Sequence, residues 1–378
     1  MTLNASHRHA LENLFSPAAF GSRQLRNRLL MAPMTRSQSP GHVPNERNVE
    51  YYRRRAAGGI GLIITEGTTV GHPAASGYPD VPAFHGDAAL QGWKAVADAV
   101  HAEGAAIIPQ LWHVGSIRQP GMQPDGSVPA YAPSAVVHPS LPADTGVRPL
   151  EMTEQDIGDV VNAFARSAAA AKEIGFDGVE LHGAHGYLID EFFWSATNLR
   201  QDRYGGTLAQ RTRFATQIVH AVRESVGPGF PIAFRLSQWK SGDFQYRVAE
   251  NPEQLETWLG PLRDAGVDVF HCSTRRFDDP QFENSNLNLA GWVKKVLGVP
   301  TVTVGSVGLD SDFVAAFSGQ PAAVLGIERL LERLERGEFD FIALGRALLA
   351  DPEWPNKLRS GKYADVAAFS PEHLQRYP

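Results

Sequence analysis

The chain has 378 residues, 43% of them hydrophobic and 20% charged, with a formal net charge of -6. That is enough apolar material for one large α/β barrel or two smaller domains, and its dispersed positive residues form no nucleic-acid footprint. The single cysteine, Cys272, excludes an intrachain disulfide and a thiolate metal cluster within one chain. No stretch has the length of a membrane span or the apolar run of a signal peptide, so a soluble cytoplasmic protein is expected.

Residues 1–14, opening MTLNASHRHA, read as a flexible tail, and residues 362–378 as a C-terminal tail. Between them an apolar strand, a polar or glycine-rich loop and an amphipathic helix recur. The expected strands are Arg28–Ala32, Gly61–Thr65, Ala105–Leu111, Gly178–His182, Pro231–Arg235, Val267–His271, Thr301–Val304 and Phe341–Leu344. The expected helices are Asn45–Ala57, Ala88–Ala102, Glu154–Ile174, Leu208–Val226, Pro252–Ala265, Leu289–Val296, Asp310–Phe317 and Glu328–Gly337. Thr153 is placed to cap the third helix, with Asp156 three residues later in the capping-box position. Nearly all-apolar strands suit a parallel sheet covered on both faces. Eight such units predict a single (β/α)8 TIM barrel over residues 1–378 rather than a doubly wound sheet. Gly58-Gly59-Ile60-Gly61 precedes a strand instead of following one, so it is no dinucleotide fingerprint. The longest excursion, residues 112–148 after strand three, is rich in Pro, Gly and Ser; it reads as a substrate-side cover or as surface ornament.

In such a barrel the residues that follow each strand share one mouth. Here they are Thr35 and Arg36, Glu66 and Gly67, Gln110 to His113, His182 and His185, Arg235 and Gln238, and His271 to Arg276. Two glycine loops, Gly305-Ser306-Val307-Gly308 and Gly345-Arg346, complete the set. Glycine lets backbone amides approach an anion, and arginine makes bidentate phosphate contacts, so these loops suit a phosphate; the alternative is a pair of tight βα turns. Arg235 with Thr35 and Gln110 suits a flat polar heterocycle such as a flavin, whose reduced form carries negative charge that a cation stabilises. Arg235 equally suits an ion pair with Glu180 or Asp243.

His182, His185 and Tyr187 lie in FDGVELHGAHGYLIDEFF, at the end of strand four. Two converging imidazoles either bind a metal, which needs further ligands from Glu66, His113, Asp190 or Glu191 without any HExxH spacing, or hold an oxygen where negative charge develops. In the second case Tyr187 stands two residues away as a proton donor. Packing roles for all three remain the alternative.

Several segments together resemble the old yellow enzyme family of FMN-dependent ene-reductases. They are Ala32-Pro33-Met34-Thr35-Arg36, Gln110-Leu111-Trp112-His113, ELHGAHGYLIDEF from Glu180, NLRQDRYGG from Asn198, VGSVG around Gly305 and GRALLADP from Gly345. The resemblance implies a non-covalent FMN at the barrel mouth. Pro33, Met34, Thr35, Gly67, Gln110 and Arg235 would contact the isoalloxazine, while Gly305, Ser306, Gly345 and Arg346 would hold the phosphate. It further implies that His182 and His185 bind the substrate's activating group, that Tyr187 is the proton donor, and that Tyr78 and Trp112 line the substrate side.

By the same resemblance, NAD(P)H is the hydride donor and an activated alkene, a carbonyl or nitro compound, is the acceptor. The donor pair is His-His, and the flavin-tuning position holds Thr35 where some relatives have cysteine. Some relatives insert a C-terminal arginine into a neighbouring subunit's site; Arg376 stands near the end here. A homo-oligomer is therefore possible, whereas no nucleic-acid or membrane partner, no resident metal and no redox role for Cys272 are expected. The rival activities are a related flavin barrel acting on an amine or a dienoyl thioester, a metal-dependent TIM-barrel hydrolase using His182 and His185, and a non-catalytic phosphate-binding protein.

Overall fold

Eight parallel strands close on themselves in sequence order in the computed structural model, which describes residues 5–143 and 147–377. They are β1 (Leu29–Met31), β2 (Leu62–Thr69), β3 (Ala106–Trp112), β4 (Val179–His185), β5 (Ile232–Lys240), β6 (Val269–Ser273), β7 (Thr301–Val304) and β8 (Phe341–Leu344). The ring closes where Leu344 of β8 pairs with Met31 of β1. Around it stand α1 (Glu46–Ala57), α2 (Asp87–Ala102), α3 (Glu154–Glu173), α4 (Leu208–Val226), α5 (Pro252–Ala265), α6 (Leu289–Leu297), α7 (Glu328–Glu335) and α8 (Trp354–Arg359). This is the expected (β/α)8 barrel.

The strands read as apolar runs because both faces are covered. Leu30, Leu62, Ile64, Ile108, Val269 and Val302 fill the barrel interior. Their neighbours Leu29, Met31, Ile63, Ile107, Phe270 and Ile342 face the helix layer. Each such buried side chain stabilises the fold by about 1.5–3 kcal/mol relative to exposure. Helix boundaries follow local chemistry. Thr153 accepts the Asp156 amide and Asp156 answers to the Thr153 amide, the capping box expected from sequence. Thr207 and Gln210 repeat it at the start of α4.

A short antiparallel hairpin, Ala18–Phe20 with Arg23–Leu25, turns at Gly21 (φ 57°). Its Ala18, Phe20 and Leu25 join the barrel-interior cluster, and Phe20 meets Phe341 edge-on at 5.4 Å between ring centroids. The hairpin therefore plugs the N-terminal end of the barrel and leaves the other end as the mouth.

Both expected tails are corrected in part. Residues 1–4 lie outside the described residues, but Ala5–Leu14 is a helix that buries Ala10 and Leu14 completely. Its apolar stripe, Ala10, Leu11 and Leu14, has helical spacing that the surrounding His, Arg and Glu residues masked in sequence. At the other end Tyr377 stacks on Tyr51 at 4.7 Å, and Asn48 donates to its hydroxyl at 2.8 Å. In the excursion (residues 144–146 lie outside the described ones), Arg118 is fully buried. Its guanidinium donates to the carbonyls of Ser76, Met122, Gln123, Asp125 and Val128. No helix of the described residues is long and apolar enough to cross a membrane.

Candidate active site

The strand ends open into a cavity of about 570 Å³. Every residue assigned to the site from sequence lines it: the β1 segment Pro33-Met34-Thr35, Gly67, Gln110, Arg235, the loop residues Gly305, Ser306, Gly345 and Arg346, and Tyr78, Trp112, His182, His185 and Tyr187.

Backbone irregularities aim several of these groups. The β2–β3 register slips between Ile64 and Gly67, and the β4–β5 register slips between Gly183 and His185. Such bulges turn a strand and redirect its side chains. Gly67 thereby passes so close to Trp112 that an added Cβ would lie 2.6 Å from the indole Cε3. His185 takes φ 67°, rare for a residue with a side chain, and its amide donates to Ser237 Oγ at 2.9 Å. Both histidines were expected at or after the end of strand four; they lie on the strand itself, which extends to His185.

His182 and His185 meet edge to face at 5.2 Å, and Tyr187 lies 5.0 Å from His182. Trp112 stacks on His182 at 6.1 Å and meets Tyr187 edge-on at 4.9 Å. Burial, reinforced by the Arg235 cation, holds both imidazoles well below the usual histidine range. They are neutral N–H donors at physiological pH. Burial and the neighbouring Tyr78 push the Tyr187 phenol well above its usual range, so it keeps its proton. The Tyr78 and Tyr187 hydroxyls are 3.1 Å apart.

Arg235 is paired in register with His182 across β4 and β5 and is 7% exposed. Neither ion pair considered from sequence forms. Glu180 is engaged by Gln110 Nε2 at 2.8 Å and His271 Nδ1 at 2.7 Å, while Asp243 accepts backbone amides of Gln245 and Tyr246. Among the described residues the one side-chain bond of Arg235 is a long 3.4 Å contact to Ser273 Oγ, and its Nε is buried without a partner. A buried guanidinium left this way marks a place for an anionic or strongly accepting group. Gln110, anchored by Glu180, keeps its Oε1 for a donor in the cavity. At Gly345 an added Cβ would meet only Met34 Sδ, at 3.5 Å, so backbone there is open to a ligand. Arg346 donates to the Asp312 carbonyl at 2.9 Å and lies 3.4 Å from Ser306 Oγ. These features fit a flat heterocycle with an acidic N1–C2 edge and a phosphate at the β7–β8 side.

Some strand-end residues turn away. Gln238 accepts the amides of Val248 and Ala249 and is a loop brace. His113 bonds to His72 at 3.0 Å. Glu66 accepts the Arg36 amide at 2.9 Å and supports the β1 loop; burial raises its carboxyl to about 7. Asp190 pairs with the buried Lys240, and Glu191 accepts from Ser116. Among the described residues no group of three or more His, Cys, Asp or Glu is placed to hold a metal ion. Cys272 is buried, and burial raises its thiol far above the usual range.

Of the excursion expected over residues 112–148, only Trp112, which is the last residue of β3, lines the cavity among the described residues. The outer wall comes instead from Trp239 near the end of β5, Phe244 after it and Phe313, whose rings lie 5.3–6.3 Å apart. Trp239 stacks on His185 at 4.5 Å with 17° between planes. Sequence reading missed this wall, although two aromatics in the polar stretch SQWKSGDF were a usable signal. Ser273 and Arg275, expected at the mouth without a role, line the cavity too, as does Leu374, which sequence reading missed. Arg36 donates to the carbonyls of Leu374 and Arg376, at 3.1 and 2.6 Å, and so holds the C-terminal segment against its own barrel.

Residues 13–365 match the model of the NADH:flavin oxidoreductase / NADH oxidase family. The chain is 35% identical over 364 residues to an NADH oxidase of Thermoanaerobacter brockii, which covers 94% of this chain and 52% of that protein. It is 33% identical over 359 residues to 12-oxophytodienoate reductase 2 of Arabidopsis thaliana, which covers 92% of this chain and 88% of that one. The chain thus spans about half the length of the first relative and most of the second. A structure of morphinone reductase in complex with tetrahydroNAD superposes with a TM-score of 0.77 at 30% identity over 97% of both chains.

Proposed function

The chain belongs to the old yellow enzyme family, the NADH:flavin oxidoreductase / NADH oxidase family, and we propose that it is an FMN-dependent ene-reductase that takes its electrons from NADH or NADPH and reduces α,β-unsaturated carbonyl or nitro compounds. One observation carries this reading. Two neutral imidazoles, a phenol that keeps its proton and a buried guanidinium without a full partner set all face one cavity.

Bound in that cavity, FMN would supply hydride transfer at N5, from the nicotinamide and then to the β-carbon of the alkene. Arg235 and Gln110 would hold its N1–C2 and pyrimidine edges, Thr35 with Pro33 and Met34 the C4 side, and Gly67 would contribute backbone. Ser306, Gly305, Gly345 and Arg346 would hold the phosphate. His182 and His185 donate to the carbonyl or nitro oxygen of the substrate, where charge accumulates as the β-carbon is attacked; one such donor is worth roughly 3 kcal/mol in a transition state. Tyr187 gives a proton to the α-carbon. Tyr78 steadies its hydroxyl, and Trp112 with the Trp239–Phe244–Phe313 wall excludes water from the space between. Neutral histidines serve here because they bind an oxygen without trapping it as a stable ion pair.

The test is an absorbance spectrum of the purified protein, then anaerobic addition of NADPH or NADH and then of 2-cyclohexenone. Flavin bands that bleach with the nicotinamide and return with the enone support the proposal. A protein that stays colourless after incubation with FMN overturns it.

A further inference from the structure

Ser273, the last residue of β6, is 3% exposed and lines the cavity, yet nothing in the proposed reaction uses it. Its Oγ lies 2.8 Å from His185 Nε2 and 3.4 Å from Arg235 Nη2. Its carbonyl accepts the Trp239 indole N–H at 3.2 Å, and the same indole stacks on the His185 ring. Ser273 thus touches each of the three side chains that frame one wall of the site.

The hydrogens in this cluster can be counted. A guanidinium only donates, so Ser273 Oγ accepts from Arg235. The hydroxyl has a single hydrogen, and among the described residues the acceptor in reach is His185 Nε2. The imidazole, kept neutral by its surroundings, then carries its proton on Nδ1. That nitrogen has no hydrogen bond within the described residues and is not among the buried unpartnered atoms. The opposite tautomer would have Nε2–H donate to Ser273, leaving the hydroxyl hydrogen without an acceptor and a bare lone pair on Nδ1. A bare Nδ1 repels a substrate oxygen instead of binding it.

We propose that Ser273 is a positioning residue that sets the tautomer and ring orientation of His185, relaying the donor direction from Arg235 so that His185 offers Nδ1–H to the substrate oxygen. The assignment rests on the reading of the histidine pair as substrate donors. It adds a residue from a third strand to the two that carry the pair and the guanidinium. Trp239 fixes the plane of the ring, Ser237 fixes its backbone, and Ser273 decides which nitrogen bears the proton.

The experiment is nitrogen-15 NMR of the imidazoles in the FMN-loaded protein, with the His185 signal identified by its loss in His185→Asn, alongside titration with 4-hydroxybenzaldehyde as a phenolic oxygen probe. Wild type should show His185 as the Nδ1–H tautomer. Ser273→Ala should shift it toward Nε2–H and weaken the phenol at least fivefold, while Ser273→Thr, which keeps the hydroxyl, should resemble wild type in both. An unchanged His185 tautomer in Ser273→Ala overturns the proposal, because a merely structural serine would leave the ring protonation as it was. A shifted tautomer with unchanged phenol affinity also overturns it, provided His185→Asn lowers that affinity. If His185→Asn too binds the phenol normally, the substrate role of His185 fails, and the tautomer signal alone then decides the role of Ser273.

Discussion

The hydroxyl of Tyr187 lies 3.1 Å from that of Tyr78, and the Tyr78 ring stacks on Trp112 at 5.4 Å. Tyr187, the proposed proton donor, is thus held by a second phenol whose own position is set by an indole. Tyr187→Phe should slow net reduction of an enone by roughly 100-fold, the contribution typical of a placed general acid. Flavin reduction by the nicotinamide should stay within a few-fold of wild type. Tyr78→Phe, which leaves the Tyr187 hydroxyl in place, should cost less. Stopped-flow measurement of the two half-reactions separates these outcomes, and equal losses in both would remove Tyr187 from the proton-donor role.

His182 is neutral, 5% exposed and in register with Arg235. Substitution by alanine should remove one of the two proposed donors to the substrate oxygen. Turnover of 2-cyclohexenone should fall roughly 100-fold, and a phenol should bind at least tenfold more weakly. A phenol titration indistinguishable from wild type would rule out oxygen binding by this histidine.

Arg235 is buried with its Nε unpartnered. Arg235→Gln should weaken FMN retention and lower the flavin reduction potential by tens of millivolts, where ~30 mV corresponds to about 1.4 kcal/mol for a two-electron couple. Potentiometric titration of the reconstituted variant measures it. An unchanged potential would place the N1 side of the flavin elsewhere.

Gly67 has ordinary backbone angles, but an added Cβ would sit 2.6 Å from Trp112. Gly67→Ala must displace the indole that backs His182 and Tyr187. Overpacking of this kind costs about 1–3 kcal/mol. Thermal unfolding should register the loss, and enone KM should rise as the wall shifts.

Glu191 is fully buried, and burial raises its carboxyl to about 8 despite hydrogen bonds from Ser116. The unfolded chain titrates it near 4.5, so between the two values the folded state binds the extra proton. Stability contributed by this group is therefore complete below the lower value and falls as pH rises through the window. Glu191→Gln cannot titrate, and its stability relative to wild type should improve with pH by up to ~1.4 kcal/mol per unit. Denaturant midpoints of both proteins at pH 5, 6, 7 and 8 test this; a constant difference would refute the raised value.

Much of the scaffold was legible because barrel strands, buried on both faces, are short apolar runs, and because helix starts such as Thr153-x-x-Asp156 carry their own local signal. The N-terminal helix was not legible: its stripe of Ala10, Leu11 and Leu14 is short and flanked by charged residues. Gln238 looked like a mouth residue by position, yet its amide is consumed by Val248 and Ala249. The excursion after β3 looked like a cover because it is long. Arg118 instead ties it to its own carbonyls and to Ser76, and the wall is aromatic and comes from β5 and Phe313.

The sequence by itself determined the barrel, the strand order and which strand-end residues stand near its mouth, though not the aromatic wall of Trp239, Phe244 and Phe313, because apolar periodicity and strand-end position are local properties that the parallel barrel repeats eight times. The tertiary structure alone decided which of those residues face the cavity and in what state. Glu180 binds Gln110 and His271 rather than Arg235, His185 is bent by a bulge onto Ser273 and Trp239, and Arg36 holds the C-terminal segment in place. These outcomes depend on partners tens to hundreds of residues apart, and on burial that strips water from each charge. Neither is written in any local stretch of chain.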